Sequence, residues 1–140
     1  MALTLSLKPG EKAIIGGAVI SNDDDRRIRI IVNNNVPVLR EKDIIKPERV
    51  DTPCKRLYFA IQLMYIDQAN LADYHKTYWK DAEDVVKAAP SCFSTIDTMS
   101  KHVVSGEYYK ALKLCKELIQ YEKELLKQAN RSGTGHAEPL

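Results

Sequence analysis

The sequence predicts an α+β protein, a small antiparallel β module followed by an α-helical bundle. Three observations predict it. Over roughly the first 45 residues, apolar and polar side chains alternate in short runs separated by Gly, Pro, Asn and Asp. From Lys46 onward prolines punctuate the chain, and apolar residues recur at helical spacing instead. The composition, 44% hydrophobic and 29% charged over 140 residues, is that of a globular chain with enough apolar side chains for a packed core.

Each strand follows from its own stretch. Leu3, Leu5 and Leu7 alternate with Thr4 and Ser6, the pattern of a strand with one buried face. Lys8-Pro9-Gly10-Glu11 is a tight turn, and Lys12 to Ile15 forms a second strand. Gly16-Gly17 turns the chain into Ala18-Val19-Ile20. After the polar turn from Ser21 to Asp25, Arg27-Ile28-Arg29-Ile30 reads as a half-exposed strand closed by Asn33-Asn34-Asn35. Val36 to Arg40 can form a fifth strand, with Pro37 confining it to an edge or to a position whose N–H the ladder does not need. The whole is expected to be a meander of about five short strands, too small to bury much by itself.

The helices follow a linker. Asp51 or Thr52 caps a helix whose first position is Pro53, where a missing N–H costs nothing. Cys54, Leu57, Tyr58, Ile61, Met64 and Tyr65 mark one stripe, yet Phe59, Leu63 and Ile66 lie off it, so this helix belongs at the centre or in a subunit interface. A second helix spans about Asn70 to Ala89 with Tyr74, Tyr78, Ala82 and Val85 inward, and Pro90 ends it. A third runs from about Phe93 to Val104. After Gly106 a fourth carries Tyr108, Ala111, Leu112, Cys115, Leu118, Ile119, Leu125 and Leu126. The expected organisation is a β module over 1–46, a helical module over 47–130 and a disordered tail over 131–140.

A search for chemistry assembles nothing that points to an enzyme or a cofactor. Cys54, Cys92 and Cys115 are odd in number and far apart, which predicts buried free thiols rather than disulfides or zinc ligands. His75, His102 and His136 have no metal-ligand spacing. Gly16-Gly17 lacks the helix, lysine and hydroxyl of a phosphate loop, and Asp23-Asp24-Asp25 lacks the spaced ligands of a calcium loop. The aromatic group Tyr74, Tyr78 and Trp79 favours packing over base stacking. Ser105 to Lys113 is similar to one tetratricopeptide helix, with no second copy at the required period. No apolar stretch approaches the length of a membrane span and no secretory signal opens the chain, so a cytoplasmic protein is expected, with no membrane partner.

The net charge of +2 is small, but its distribution is uneven. Residues 26 to 49 hold Arg26, Arg27, Arg29, Arg40, Lys42, Lys46 and Arg49 against Glu41, Asp43 and Glu48. This local excess could face phosphate.

The chain resembles the FlbT family, flagellar biosynthesis repressors of alphaproteobacteria. The resemblance is carried by Leu7-Lys8-Pro9-Gly10-Glu11, Gly17-Ala18-Val19-Ile20, Val38-Leu39-Arg40-Glu41-Lys42-Asp43-Ile44, and Asp51-Thr52-Pro53 followed by Tyr58-Phe59-Ala60-Ile61-Gln62-Leu63-Met64. It is close from Leu3 to Ile66 and is one of helical pattern beyond. It implies a post-transcriptional regulator that binds the 5′ untranslated region of flagellin messenger RNA and lowers its translation and lifetime, although in some members the sign looks reversed. Residues 3 to 45 also resemble the CsrA family of RNA-binding translational regulators, through the strand order, the Lys-Pro-Gly-Glu turn and a Val-x-Arg-Glu edge. That resemblance implies a dimer made by strand exchange and an RNA grip built from two arginines. Arg40 matches one of them, and Leu7 stands at the other.

The expected function is therefore flagellin messenger control by a homodimer without a cofactor, with RNA rather than DNA as the nucleic acid. Phosphate contacts would come from Arg26, Arg27, Arg29, Arg40 and Lys42, and bases would be read in an unpaired loop. The rival expectation is a protein adaptor without RNA contact, whose helices from Cys54 and from Tyr74 grip a flagellin or the small FlaF protein.

Overall fold

Five strands form where alternation predicts them, but their pairing is not a meander. The structure, a computed structural model, describes residues 2–133, with side chains through residue 130. The strands are β1 (Leu3–Leu7), β2 (Lys12–Ile15), β3 (Ala18–Ser21), β4 (Ile28–Val32) and β5 (Val38–Arg40), followed by α1 (Pro53–Ile66), α2 (Leu71–Ala88), α3 (Phe93–Val104) and α4 (Tyr108–Gly133). The protein is α+β. Its strands make two antiparallel sheets, β1-β4 and β3-β2-β5.

Among the described residues only β2 and β3 are a hairpin of consecutive strands. Gly16 and Gly17 form its two-residue turn, at φ +56° and +88°, values that the mirror-image turn matching strand twist demands and that side chains with a Cβ resist. The Lys8–Glu11 turn instead carries the chain from one sheet to the other. The physical reason is burial: a flat meander of this size would leave one face wet, whereas two stacked sheets enclose Leu5, Leu7 and Ala13. In the register, Leu5 stands opposite Ile30 and Leu7 opposite Ile28 on that inner face. β5 begins at Val38 rather than Val36. Pro37 lies just outside the strand, where its missing N–H costs the ladder nothing and its carbonyl accepts from Gly16 N at 2.9 Å, and β5 is an edge strand.

The three-stranded sheet is the middle layer. Ile14 and Leu39 face each other across the β2–β5 ladder and join the helical core, whereas Ala13, Ile15 and Val38 belong to the cluster under β1 and β4. The sheet is seated on α1 by polar clamps as well. Gln62, buried in an otherwise apolar helix, accepts from Ile45 N at 2.7 Å and donates to Ile45 O at 3.0 Å. Tyr58 donates its hydroxyl to Asp43 O at 2.6 Å, and Tyr65 accepts from Val38 N at 3.3 Å. Buried polar groups need such partners, so these three residues fix where the chain between β5 and α1 lies.

Thr52 caps α1 by accepting from Lys55 N at 3.2 Å, with Pro53 at the first helical position. Glu122 of α4 completes the cap, accepting from Thr52 Oγ1 at 2.5 Å and Cys54 N at 3.1 Å. Helix α1 packs against both α2 and α4, and α3 packs against α4, so α1 is central as its apolar circumference predicts. Tyr78, Met99, Ala111 and Cys115 are buried between them. Tyr78 meets Ser100 Oγ at 2.8 Å and stands edge-on to Trp79 with centroids 5.1 Å apart, so Tyr78 is a packing residue, whereas Trp79 is exposed and Tyr74 half-buried. All three cysteines are free and buried. Helix α4 continues to Gly133, and residues 134–140 of the expected disordered tail lie outside the described residues. Among the described residues no helix is long and apolar enough to cross a membrane.

Candidate nucleic-acid interface

The alternation that buries Leu5 and Leu7 turns Thr4 and Ser6 outward, and Ser6 becomes a junction for three of the five predicted residues. Arg29 stands directly opposite Ser6 in the β1–β4 register and is exposed. Arg27 Nη1 donates to Ser6 Oγ at 3.2 Å. Arg40 reaches Ser6 from the other sheet, its Nη2 donating to Ser6 O at 3.2 Å. Arginines separated by up to 13 positions in sequence thus converge on one residue at the seam of the sheets.

Arg26 and Arg27 are presented by a turn that is more ordered than its polar composition implies. Asn22 is buried, its Nδ2 donating to Leu7 O at 3.0 Å and Arg26 O at 2.9 Å while its Oδ1 accepts from Asp24 N at 2.9 Å. This ties the end of β1 to the start of β4. Asp23, Asp24 and Asp25 are exposed beside the arginines, so carboxylates bound the basic surface on that side. Arg26 does not reach Ser6 and lies exposed at the edge of the turn.

Lys42 does not join the junction either. It is exposed on a short 3-10 turn after β5, at the border of two clefts. One, of about 430 Å³, is lined by Lys42, Lys113 and Lys116 with Asp43 and Glu117. The other, of about 480 Å³, adds Lys46, Arg49 and Lys55. Lys55 is held by Asp51 at 2.9 Å, and Lys116 is ion-paired to the buried Asp43. With these two lysines neutralised and Glu41 and Glu117 in the clefts, Lys42, Lys46, Arg49 and Lys113 are the cations that carry positive charge from the strands toward the helices. Sequence reasoning confined to residues 26–49 missed Lys113 and Lys116, although their i, i+3 spacing places them on one stripe of α4.

Arg40 is the most constrained of the set. It is half-buried, and its Nε is buried with no hydrogen-bond partner among the described residues. An orphaned buried donor costs about 1–3 kcal/mol, which an incoming acceptor would recover. The Tyr58 hydroxyl, covered by the packing of β5 on α1 and close to Asp43, has its pKa pushed upward, chiefly by burial, so it remains a neutral donor. Leu7, at the position of the second arginine of a CsrA-type grip, is fully buried and faces the inter-sheet cluster. Among the described residues no group of three or more His, Cys, Asp or Glu could hold a metal ion.

Comparison with known proteins yields one family. A family model described as "Flagellar protein FlbT" matches residues 3–126, which carries the likeness through the helical bundle and beyond the N-terminal motifs. The chain is 43% identical over 125 residues to the probable flagellum biosynthesis repressor protein FlbT 1 of Bradyrhizobium diazoefficiens, covering 89% of this chain and 85% of that one. It is 40% identical over 128 residues to the flagellum biosynthesis repressor protein FlbT of Caulobacter vibrioides, covering 90% of each. It is likewise 40% identical over 126 residues to the probable FlbT of Rhodopseudomonas palustris, covering 90% of this chain and 98% of that relative. No solved structure matches the chain.

Proposed function

The chain belongs to the FlbT family of flagellar proteins, and from that premise we propose that it represses flagellum biosynthesis by binding the 5′ untranslated region of flagellin messenger RNA, reducing translation and promoting decay. The observation that carries this reading is the convergence of Arg27, Arg29 and Arg40 on Ser6, extended by Arg26 and Lys42 at its ends. The guanidiniums of Arg27 and Arg40, each bonded to Ser6 at the sheet seam, are preorganised donors for phosphate oxygens, with Arg29 exposed beside them, and unpaired bases there are open to edge recognition. The functional unit is a homodimer. Its β modules supply the contact, because β3 is exposed along its whole length, Val19 is 65% exposed and Ile31 is 57% exposed. Apolar strand faces of this kind invite pairing with a second chain.

The test is a salt titration of binding to a flagellin leader RNA by filter assay. Five phosphate contacts on a single strand give a log–log slope of about −3.5, and each arginine removed makes it shallower by about 0.7. Binding that ignores salt, or no binding, contradicts the proposal.

A second reading draws on a different surface. Phe59, Leu63 and Tyr74 line an apolar groove of about 370 Å³ between α1 and α2, which suits an adaptor that grips a helix of a flagellin or of FlaF. Binding through this groove would be insensitive to salt.

A further inference from the structure

We propose that the cleft where β1 and β5 meet the start of α4 is a pocket for a single unpaired nucleotide of the bound RNA, with the base lying on Tyr109 and an acceptor oxygen of that nucleotide satisfying Arg40 Nε. This rests on the RNA reading above and adds to it a contact from the helical module, so that strands and helices grip the strand together.

Four observations meet in this cleft. Its volume is about 340 Å³, and Thr4, Val38, Arg40, Tyr65 and Tyr109 line it, a size at the small end of the range for small-ligand sites. Arg40 lines the cleft, its Nε buried without a partner among the described residues, while Nη2 of the same side chain is anchored on Ser6 O. A guanidinium keeps its charge and all its donors, so the unmet Nε selects a ligand with an acceptor oxygen or nitrogen. Tyr109 is 43% exposed beside the fully packed side of α4, and its ring stands 6.2 Å from that of Tyr65, which Val38 N holds in place. A half-exposed ring with a fixed neighbour is a platform for a base. Lys113 Nζ, from the adjoining cleft, lies over the Tyr109 ring 5.5 Å from its centroid, and it has no ion-pair partner among the described residues. A base entering on that face of Tyr109 displaces the ammonium, which swings to the adjoining phosphate. Among the described residues the one carboxylate lining the cleft, Asp43, is engaged by Lys116 and does not repel an anion as an isolated charge would.

An extended peptide pairing along the free edge of β1 is the competing occupant. It would supply carbonyl acceptors to Arg40, but it has no use for an exposed tyrosine with a lysine over its ring. The nucleotide accounts for all three groups.

The experiment uses the full chain with a flagellin leader RNA irradiated by short-wave ultraviolet light, followed by nuclease and protease digestion and mass spectrometry of nucleotide-bearing peptides. Affinities of Tyr109→Phe and Tyr109→Leu are measured beside it, with circular dichroism melts of each. Adducts are expected on the peptide carrying Tyr109. Tyr109→Phe should bind as the unaltered protein does, and Tyr109→Leu should bind about 5- to 150-fold more weakly, the equivalent of one lost stacking contact. Adducts confined to residues 26–32, with Tyr109→Leu binding unimpaired, would overturn the pocket and leave the RNA reading standing. A wild-type protein that binds no RNA would overturn both, and protection of β1 amides by an added copy of the chain would assign the cleft to a peptide strand. Should Tyr109→Leu melt, the adduct map of the unaltered protein decides by itself.

Discussion

Replacing Leu7 with arginine would restore, on paper, the second arginine of a CsrA-type RNA grip, but this structure predicts that it unfolds the β module. Leu7 is 0% exposed and packs with Leu5, Ala13 and Ile28 between the two sheets. Losing its burial removes about 1.5–3 kcal/mol, and placing a guanidinium there without a carboxylate partner costs several kcal/mol more. The nearby Leu7 carbonyl is already taken by Asn22 Nδ2. Together these approach the whole stability of a small domain, about 5–15 kcal/mol. Leu7→Ala, which leaves a cavity and no charge, should cost about 2–5 kcal/mol and remain folded. Urea unfolding followed by far-ultraviolet circular dichroism and by Trp79 fluorescence would separate the outcomes. The arginine variant should lose cooperative unfolding of the β module or fail to accumulate in folded form. A Leu7→Arg protein within about 0.5 kcal/mol of wild type, the usual range for surface changes, would refute the inward placement of Leu7 and the stacking of the two sheets.

Other expectations follow from single contacts. Glu122→Ala leaves Thr52 Oγ1 and Cys54 N without their acceptor and should lower stability by about 1–3 kcal/mol, read as an earlier urea midpoint at unchanged m-value. Arg40→Ala should weaken leader-RNA binding by about 1–3 kcal/mol in filter assays, and because it also removes the Nη2 bond to Ser6 O it should lower stability by about 0.5–1.5 kcal/mol with the fold retained. Burial pushes the Tyr78 hydroxyl up to about 12 and also raises Tyr58 and the three thiols. The unfolded chain therefore releases these protons first, so stability is full below the ordinary thiol and tyrosine values and falls as pH climbs through about 9 to 12. A Tyr78→Phe variant should show a flatter alkaline fall in melting temperature; an identical slope would count against burial of that hydroxyl. The same burial predicts that a thiol reagent at neutral pH labels none of Cys54, Cys92 and Cys115 until the chain unfolds, and rapid native labelling would contradict the packing of α1 against α4.

Local elements were legible because their signals are local. Thr52 with Pro53, the Gly16-Gly17 turn and the spacing of Ile96, Met99 and Val103 each specify an element by rules of capping, turn geometry or period. Strand partners were not legible. Whether β1 pairs with β2 or with β4 depends on which arrangement buries both Leu5 and Leu7, a non-local outcome that alternation alone does not carry. The same limit hid the site. Ser6 and Arg40 are 34 positions apart, and their contact exists only once the two sheets stack. Tyr109 was hidden differently: in the pair Tyr108 and Tyr109 one ring is buried and its neighbour is turned out, which becomes visible when the inner face of α4 is fixed by Ala111, Leu112 and Cys115. Gln62 could have been found, since an amide inside an apolar helix needs partners and the chain just before α1 is the nearest supply.

Direct contact with RNA is the central claim, and crosslinking in living cells tests it most directly. Cells carrying the tagged chain are irradiated, the protein is purified under denaturing conditions, and both the attached RNA and the attached proteins are identified, with an Arg40→Ala strain processed in parallel. The account predicts flagellin leader fragments enriched on the wild-type chain and depleted on Arg40→Ala at equal protein abundance. Recovery of a flagellin or FlaF without RNA above background would contradict it and make the α1–α2 groove the working surface.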